Sequence, residues 1–359
     1  MPVQELLISS DSHVDVKPEQ VKQRLASKFH EEYDAGVATL ASEAAKIMQS
    51  NMQREQALRQ PQVNPARGTP GHSEPEARLR DMDTDGVEAE VLYCEVSAYR
   101  FLYKLKDGWK ESTRAFNDTL LDFAAVDPKR LITSAQVPIH DIDFAVQEVR
   151  RIAEAGGKSL QMPVFPHELG FADYFDERYD PLWNVIAEYD LPICCHIGLN
   201  TGLNGLAQRD PTPGKGVFVF NVGLSAGDAL GMWLLTGVLE RHKDLKVVFV
   251  EPGLAWVAWV LWAIDDMAER QGYEFPELKD KPSSYYYRNI HLTFIDEPFA
   301  IEKLRPELGV RNIMWSSDYP HPVSSWPNSR ALVERTFASV PSDERELIVS
   351  GNAKRVWNL

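Results

Sequence analysis

Residues 313–322, IMWSSDYPHP, pass from a short apolar segment to a carboxylate, a phenol ring, two prolines and a histidine. An apolar run that ends in chemistry-bearing residues is how a strand of a parallel sheet opens onto a binding mouth. The same grammar recurs along the chain. ELLISSDSH (5–13) ends in Asp11 and His13, LPICCHIG (191–198) carries His196, and LKVVFVEPG (245–253) carries Glu251. EAEVLY (88–93), LITSAQVP (131–138), KSLQMPVF (158–165) and NIHLTFID (289–296) bring the number of candidate strands to eight. Most lack polar alternation, as expected for strands covered on both faces. IDFAVQEVRRIAEAG (142–156) and YDPLWNVIAEYD (179–190) read as amphipathic helices stopped by Gly or Asp before the next strand. Eight strands alternating with helices predict an α/β fold, a (β/α)8 TIM barrel, forming a single domain over residues 1–359.

Two stretches exceed a minimal barrel. Residues 14–80 include the helical pattern LASEAAKIMQSNMQREQALRQ and the turn-rich PQVNPARGTPGHSEP, and residues 199–228 are rich in Gly, Pro and Asn. They predict long insertions after strands 1 and 5, at the end of the barrel where a site would form. The run Leu254–Ile264 is too short to span a bilayer, and Trp256, Trp259 and Trp262 recur at helical spacing. A buried helix is expected there, its tryptophans assigned to packing or to a subunit contact.

The chain has 359 residues, 44% of them apolar and 25% charged, with a formal net charge of -15. That charge argues against nucleic acid and anionic membranes as partners, which need a basic footprint. No basic leader followed by an apolar stretch opens the chain, so a cytoplasmic protein is expected. Cys94, Cys194 and Cys195 do not make a disulfide framework and are expected to be reduced packing residues.

In a parallel barrel only the carboxyl ends of strands converge on the mouth. Asp11 and His13 alternate, so both face one side of strand 1. His196, Glu251, Asp318 and His321 fall at equivalent depth on strands 5, 6 and 8. Each alone has a commonplace alternative: a turn-starting Asp, a core histidine, a surface carboxylate. Their coincidence at strand ends points instead to one divalent metal ion. Zinc suits imidazole and carboxylate donors, with manganese or iron favoured by more oxygen donors. His30, His72, His140, His167, His242 and His291 lie off this pattern.

SSDSHV, RLRDMDTDGVEAEVLY (78–93), LPICCHIG, VLERHKDLKVVFVEPG (238–253), IMWSSDYPH and the terminal GNAKRVWNL (351–359) together resemble the decarboxylase-like branch of the amidohydrolase superfamily, over nearly the whole chain. This group is typified by aminocarboxymuconate semialdehyde, resorcylate and carboxyvanillate decarboxylases. The resemblance implies the same barrel and a single catalytic metal held by His13, His196 and Asp318. Asp11 stands where well-studied members have His or Glu, and is expected to join them. Members place a proton-transfer histidine at the end of strand 6, where this chain has Glu251. No lysine matches the bridging position of binuclear relatives, so a mononuclear site is implied.

The leading expectation is a metal-dependent hydrolase of a small cyclic or aromatic organic acid, amide or lactone. Asp318 would take a proton from water, and Glu251 or His321 would protonate the leaving group. The alternative is a nonoxidative decarboxylase of a hydroxylated aromatic acid. A noncatalytic barrel is disfavoured by so complete a donor set. Arg100 and Arg209 are candidates to grip a substrate carboxylate, and Tyr319 and Trp326 to wall a flat ring. The family resemblance also implies a homodimer or larger homo-oligomer.

Overall fold

The computed structural model describes residues 5–39, 42, 68–94, 100–197, 205–207, 209–212 and 216–359. Its strands are β1 (Ile8–Val14), β2 (Ala89–Cys94), β3 (Leu131–Gln136), β4 (Ser159–Gln161), β5 (Pro192–His196), β6 (Lys246–Val250), β7 (Ile290–Phe294) and β8 (Ile313–Trp315). They pair in parallel in chain order, and almost every strand residue is buried, which explains the missing polar alternation. The (β/α)8 barrel read from the sequence is the observed fold.

The last gap, between β8 and β1, closes differently from the others. It has a single parallel bridge between Ser12 and Tyr319, the His13 amide donating to the Tyr319 carbonyl at 2.6 Å, and the Asp318 amide donating to the Asp11 carbonyl at 2.9 Å. These bonds lie where the sequence places its carboxylates. The seam of the barrel and the candidate site coincide.

Local chemistry sets the surrounding helices. Helix Ile142–Glu154 begins at Asp141, whose carboxylate accepts the Phe144 amide at 3.0 Å, and it buries Phe144, Ala145, Val149 and Ile152. Helix Pro75–Asp85 starts with proline in its first turn and stops at Gly86, where φ of 73° needs a residue without Cβ.

The amino-terminal end of the barrel is plugged by the chain's own terminus. Trp357, fully buried, donates its indole N–H to Ser159 Oγ at 3.0 Å, and Ser159 opens β4. Ile8, Val91, Ile132, Val248 and Met314 pack around this plug as the barrel interior. Cys94, Cys194 and Cys195 are buried and form no disulfide.

Two expectations need comment. The helical pattern of residues 40–60 lies outside the described residues, apart from Ser42. The helix Ala255–Gln271 is not buried all round. Val257, Leu261 and Ile264 face the barrel, whereas Trp259 and Trp262 are about two-thirds exposed (66% and 65%). Helical spacing marks a face but not what covers it. Beside them, Gly216–Leu235 is one helical run, interrupted at Ser225, that is long and apolar enough to cross a membrane; a third of it (33%) is buried against the protein. Gly227 and Trp256 bring the two segments into contact, and Val219 and Phe220 add to the exposed apolar surface.

Replacing Trp357 by Ala should destabilise the protein by roughly 3–5 kcal/mol, because it empties a large, closed site and removes one hydrogen bond to Ser159. Urea unfolding followed by circular dichroism would measure this, and a loss under ~1 kcal/mol would show that the plug is dispensable.

Candidate active site

The sequence puts Asp11 and His13 two residues apart, and the structure adds a bulge between Ser9 and Ser12, around Asp11. Ser9 pairs with Glu90, but Ser12 pairs with Leu92, so β1 carries an extra residue there. Bulges re-aim side chains, and this one lets Asp11 and His13 turn inward together. Asp318 and Glu251 need a different device. Both adopt left-handed backbone, with φ of 52° and 59°, which costs on the order of 1 kcal/mol or more for a residue with a side chain. The structure holds them there: Asp318 N–H donates to Asp11, and Glu251 N–H donates to Thr293 Oγ1 at 2.9 Å.

The outcome is a cluster at the mouth. His13 Nε2 lies 3.2 Å from Asp318 Oδ1 and 3.7 Å from Asp11 Oδ1, and His196 Nε2 lies 3.4 Å from Asp11 Oδ1. His321 Nδ1 is 2.9 Å from Asp318 Oδ1, and the His13 and His321 rings are 3.8 Å apart. Glu251 forms a further group with Asp11 and Asp318, with donor atoms within 4.8 Å of one another. All six ionisable residues singled out at strand ends are thus brought together.

These residues fit a metal ion. Both oxygens of Asp11 and of Asp318, both nitrogens of His13, and His196 Nε2 are buried without a hydrogen bond. So many bare donors aimed at one point are costly unless a cation satisfies them. His196 Nδ1 lies 2.7 Å from the Ile197 carbonyl. Donation there sets the tautomer that leaves Nε2 with its lone pair toward the cluster. Asp11, His13, His196 and Asp318 offer two oxygens and two nitrogens, a set open to zinc, manganese or iron.

The protein alone is electrostatically unbalanced. Burial pushes the Glu251 carboxyl up, and the neighbouring Asp318 and Asp11 add to this, to about 8. Burial opposes ionisation of Asp318 too, but the imidazoles of His13 and His321 outweigh it and hold that carboxyl at about 2. Burial disfavours the charged form of His196, yet Asp11 prevails and lifts it to about 9. Burial, helped by His321, lowers His13.

The surroundings of the four proposed substrate contacts differ. Tyr319 is 1% exposed and turned away from the cluster, with its hydroxyl 2.5 Å from Asp81 Oδ2. Trp326 stacks edge-on against it and donates its indole N–H to the Asp81 carbonyl at 3.0 Å. Tyr319, fully buried between Asp81 and Arg78, belongs to a layer behind the site, so the expectation that it walls a ring is corrected here. Arg100 lies 3.7 Å from Glu168, and Arg209 is exposed. Sequence reasoning missed the supporting polar layer: Ser9, Ser12 and Ser317 hydroxyls bonded among themselves, Thr293, and the buried Arg78–Glu90 pair. The serines preceding Asp11 and Asp318, and the arginines of RLRDMD, were its only visible signals.

The Amidohydrolase family model matches residues 13–359. The chain belongs to the amidohydrolase family. Among curated relatives of this amidohydrolase, the gamma-resorcylate decarboxylase of Rhizobium radiobacter is 24% identical over 311 residues, covering 79% of this chain and 87% of that protein. Among solved structures, 5-carboxyvanillate decarboxylase from Sphingomonas paucimobilis superposes with a TM-score of 0.75 at 22% identity, covering 99% of this chain and 100% of that one. The dihydroxybenzoic acid decarboxylase from Polaromonas sp. JS666, solved with bound manganese and 2-nitroresorcinol, gives 0.69 at 18% identity, with 99% and 98% covered. The named relatives are thus decarboxylases, which favours the alternative reading of the sequence over the hydrolase.

One divalent ion per chain is expected by elemental analysis of the purified amidohydrolase. His196→Ala should lose most of it while its far-ultraviolet circular dichroism stays that of the folded barrel. A full metal complement in that variant would show that His196 is not a ligand.

Proposed function

We propose that this amidohydrolase is a metal-dependent, nonoxidative decarboxylase of a hydroxylated aromatic acid. The observation that supports this most is the buried Asp11–His13–His196–Asp318 donor set with His321 beside it, in a chain aligned along most of its length with decarboxylases of dihydroxybenzoate type. Asp11, His13, His196 and Asp318 would hold one divalent ion, with manganese or zinc both compatible with these donors. A bound ion would hold the substrate's carboxylate and adjacent hydroxyl oxygen and would favour ionisation of that hydroxyl, which makes the ring carbon easier to protonate.

The chain's own residues supply the rest. His321 is the most open imidazole of the cluster, its side chain 22% exposed against 0% for His13 and 1% for His196. It can exchange a proton with solvent, and its Nδ1 lies 2.9 Å from Asp318 Oδ1. His321 delivers that proton to the ring carbon bearing the carboxylate. The bond from ring carbon to carboxyl carbon then breaks, its electron pair returns to the ring, and carbon dioxide departs. Asp318 keeps His321 oriented through the transfer. Glu251 takes the strand-6 position where the resemblance places a histidine, and it lines the same mouth. Hydrolysis, read first from the sequence, finds its support in Glu251 as a group that could direct a water.

Assay against dihydroxybenzoates and carboxyvanillate in deuterium oxide separates the two. Carbon dioxide release with deuterium on the product ring carbon is expected, and Asp318→Asn should lower turnover by about two to four orders of magnitude. Oxygen uptake from labelled water onto an amide or lactone substrate, without carbon dioxide, would overturn the decarboxylase reading.

We also infer that the chain self-associates through the exposed apolar surface of Trp259, Trp262, Val219 and Phe220. Large apolar side chains exposed on neighbouring helices mark interfaces, and the net charge of -15 favours a second copy over an anionic membrane. A twofold-related pair needs only this one patch. Sedimentation should show an oligomer that Trp259→Lys with Trp262→Lys splits into smaller species. An unchanged sedimentation coefficient in the double variant would remove this surface from the interface.

A further inference from the structure

Arg78 is the one arginine of the described residues that is wholly buried. A guanidinium is costly to take out of water, so each of its contacts needs an account. It lies on helix Pro75–Asp85, which packs against the seam between β8 and β1. Its Nη2 donates to the main-chain carbonyl of His13. Its Nη1 lies 3.3 Å from Glu90 Oε2 on β2. Its planar face covers the Tyr319 ring, with Cζ 4.3 Å from the ring centroid.

The partners of these partners complete a closed unit. Tyr319 reaches back to the same helix, its hydroxyl donating to Asp81 Oδ2 at 2.5 Å and also bonded to Thr69 Oγ1. The Tyr319 carbonyl accepts the His13 amide at 2.6 Å. Both peptide groups of His13 are therefore fastened to one assembly, the amide to Tyr319 and the carbonyl to Arg78. Asp318 is the residue before Tyr319 in that assembly.

Elsewhere in the barrel, continuous ladders fix the distance between neighbouring strand ends. At the seam only one bridge joins β1 to the segment after β8, so the spacing of two ligands on opposite sides must be held from behind. We propose that Arg78 is the positioning residue that sets the separation of His13 from Asp318, 3.2 Å between Nε2 and Oδ1, and so tunes affinity for the divalent ion. The fork and the flat face are both used: one edge binds a carbonyl of β1 while the plane grips the ring after β8. Lysine can keep the charge beside Glu90 but cannot do both. Glu90 also keeps the cation behind His13 from opposing the ion in front of it.

The test needs no substrate, so it stands apart from the decarboxylase reading and rests only on the metal cluster. Metal-free wild type, Arg78→Lys and Tyr319→Leu would be titrated with cobalt(II) against a competing chelator, on samples shown to be folded by circular dichroism. The visible absorption of the bound cobalt would be recorded alongside. Arg78→Lys should bind roughly 10–100-fold more weakly, the loss usual when a partner orienting a ligand is removed, and its cobalt bands should shift. Tyr319→Leu removes the other half of the grip and should weaken binding in the same direction, which keeps the test decisive if one variant fails to fold. A residue serving only the fold would lower the melting temperature and leave the folded protein's affinity and spectrum as in wild type. Affinity within twofold of wild type, with unshifted bands, in either folded variant would overturn the assignment.

Discussion

Asp11 and Asp318 face each other across the seam of the barrel, buried, with only imidazoles close to their oxygens. Two like charges ~4 Å apart at an effective dielectric near 20 repel by about 4 kcal/mol. Glu251 adds a third carboxyl to the same place. A protein keeps such an arrangement only where a cation relieves it, and much else at this end of the barrel follows from that constraint. The bulge in β1, the left-handed backbone at Asp318 and Glu251, and the serine hydroxyls beneath them all aim or brace these carboxyls. Stability is given up locally so that one point in space can hold positive charge.

How much of this is legible in the sequence depends on whether a feature obeys a local period. The strands do. Apolar runs bounded by Gly, Pro or Asp mark all eight, and the residues that end them mark the mouth, so His13, His196 and Asp318 are found without coordinates. Tyr319 is the instructive failure. Reading it as a wall of the site assumes that the chain stays near the mouth after Asp318. A left-handed residue breaks the period of two, and the next side chain leaves the cluster for the layer behind. The tryptophans of the helix after β6 leave two readings open, packing or a subunit contact, for another reason. Their spacing shows that they share a face, but whether that face meets the barrel or solvent depends on helix orientation, which no local pattern encodes.

Arg78 was harder still to read. It sits on a helix whose sequence, PEARLRDMDTD, looks like a solvated charged segment. Burial of its fourth helical residue follows from where the helix docks. The pairing with Glu90, twelve residues on and in a strand, becomes visible only once helix and β2 are packed together. Charged residues in an otherwise ordinary helix thus hid a support for the metal cluster.

Charge counting then places a condition on Glu251 within the decarboxylase reading. Asp11 and Asp318 together balance one divalent ion, leaving a nearly neutral cluster to which an anionic aromatic acid can bind. An ionised Glu251 would give the cluster a net negative charge and repel that substrate's carboxylate at close range. In the metal-free chain burial first, then Asp318 and Asp11, favour the protonated form; once an ion balances those two carboxyls, burial is the influence that remains. A carboxylic acid can donate a hydrogen bond to the substrate where a carboxylate would repel it. A histidine at this position would contribute no negative charge in either protonation state, so replacing it by glutamate is compatible with an anionic substrate only if the proton stays on. On this reading the strand-6 carboxyl orients the substrate as a donor, and the movable proton belongs to His321, the imidazole that reaches solvent.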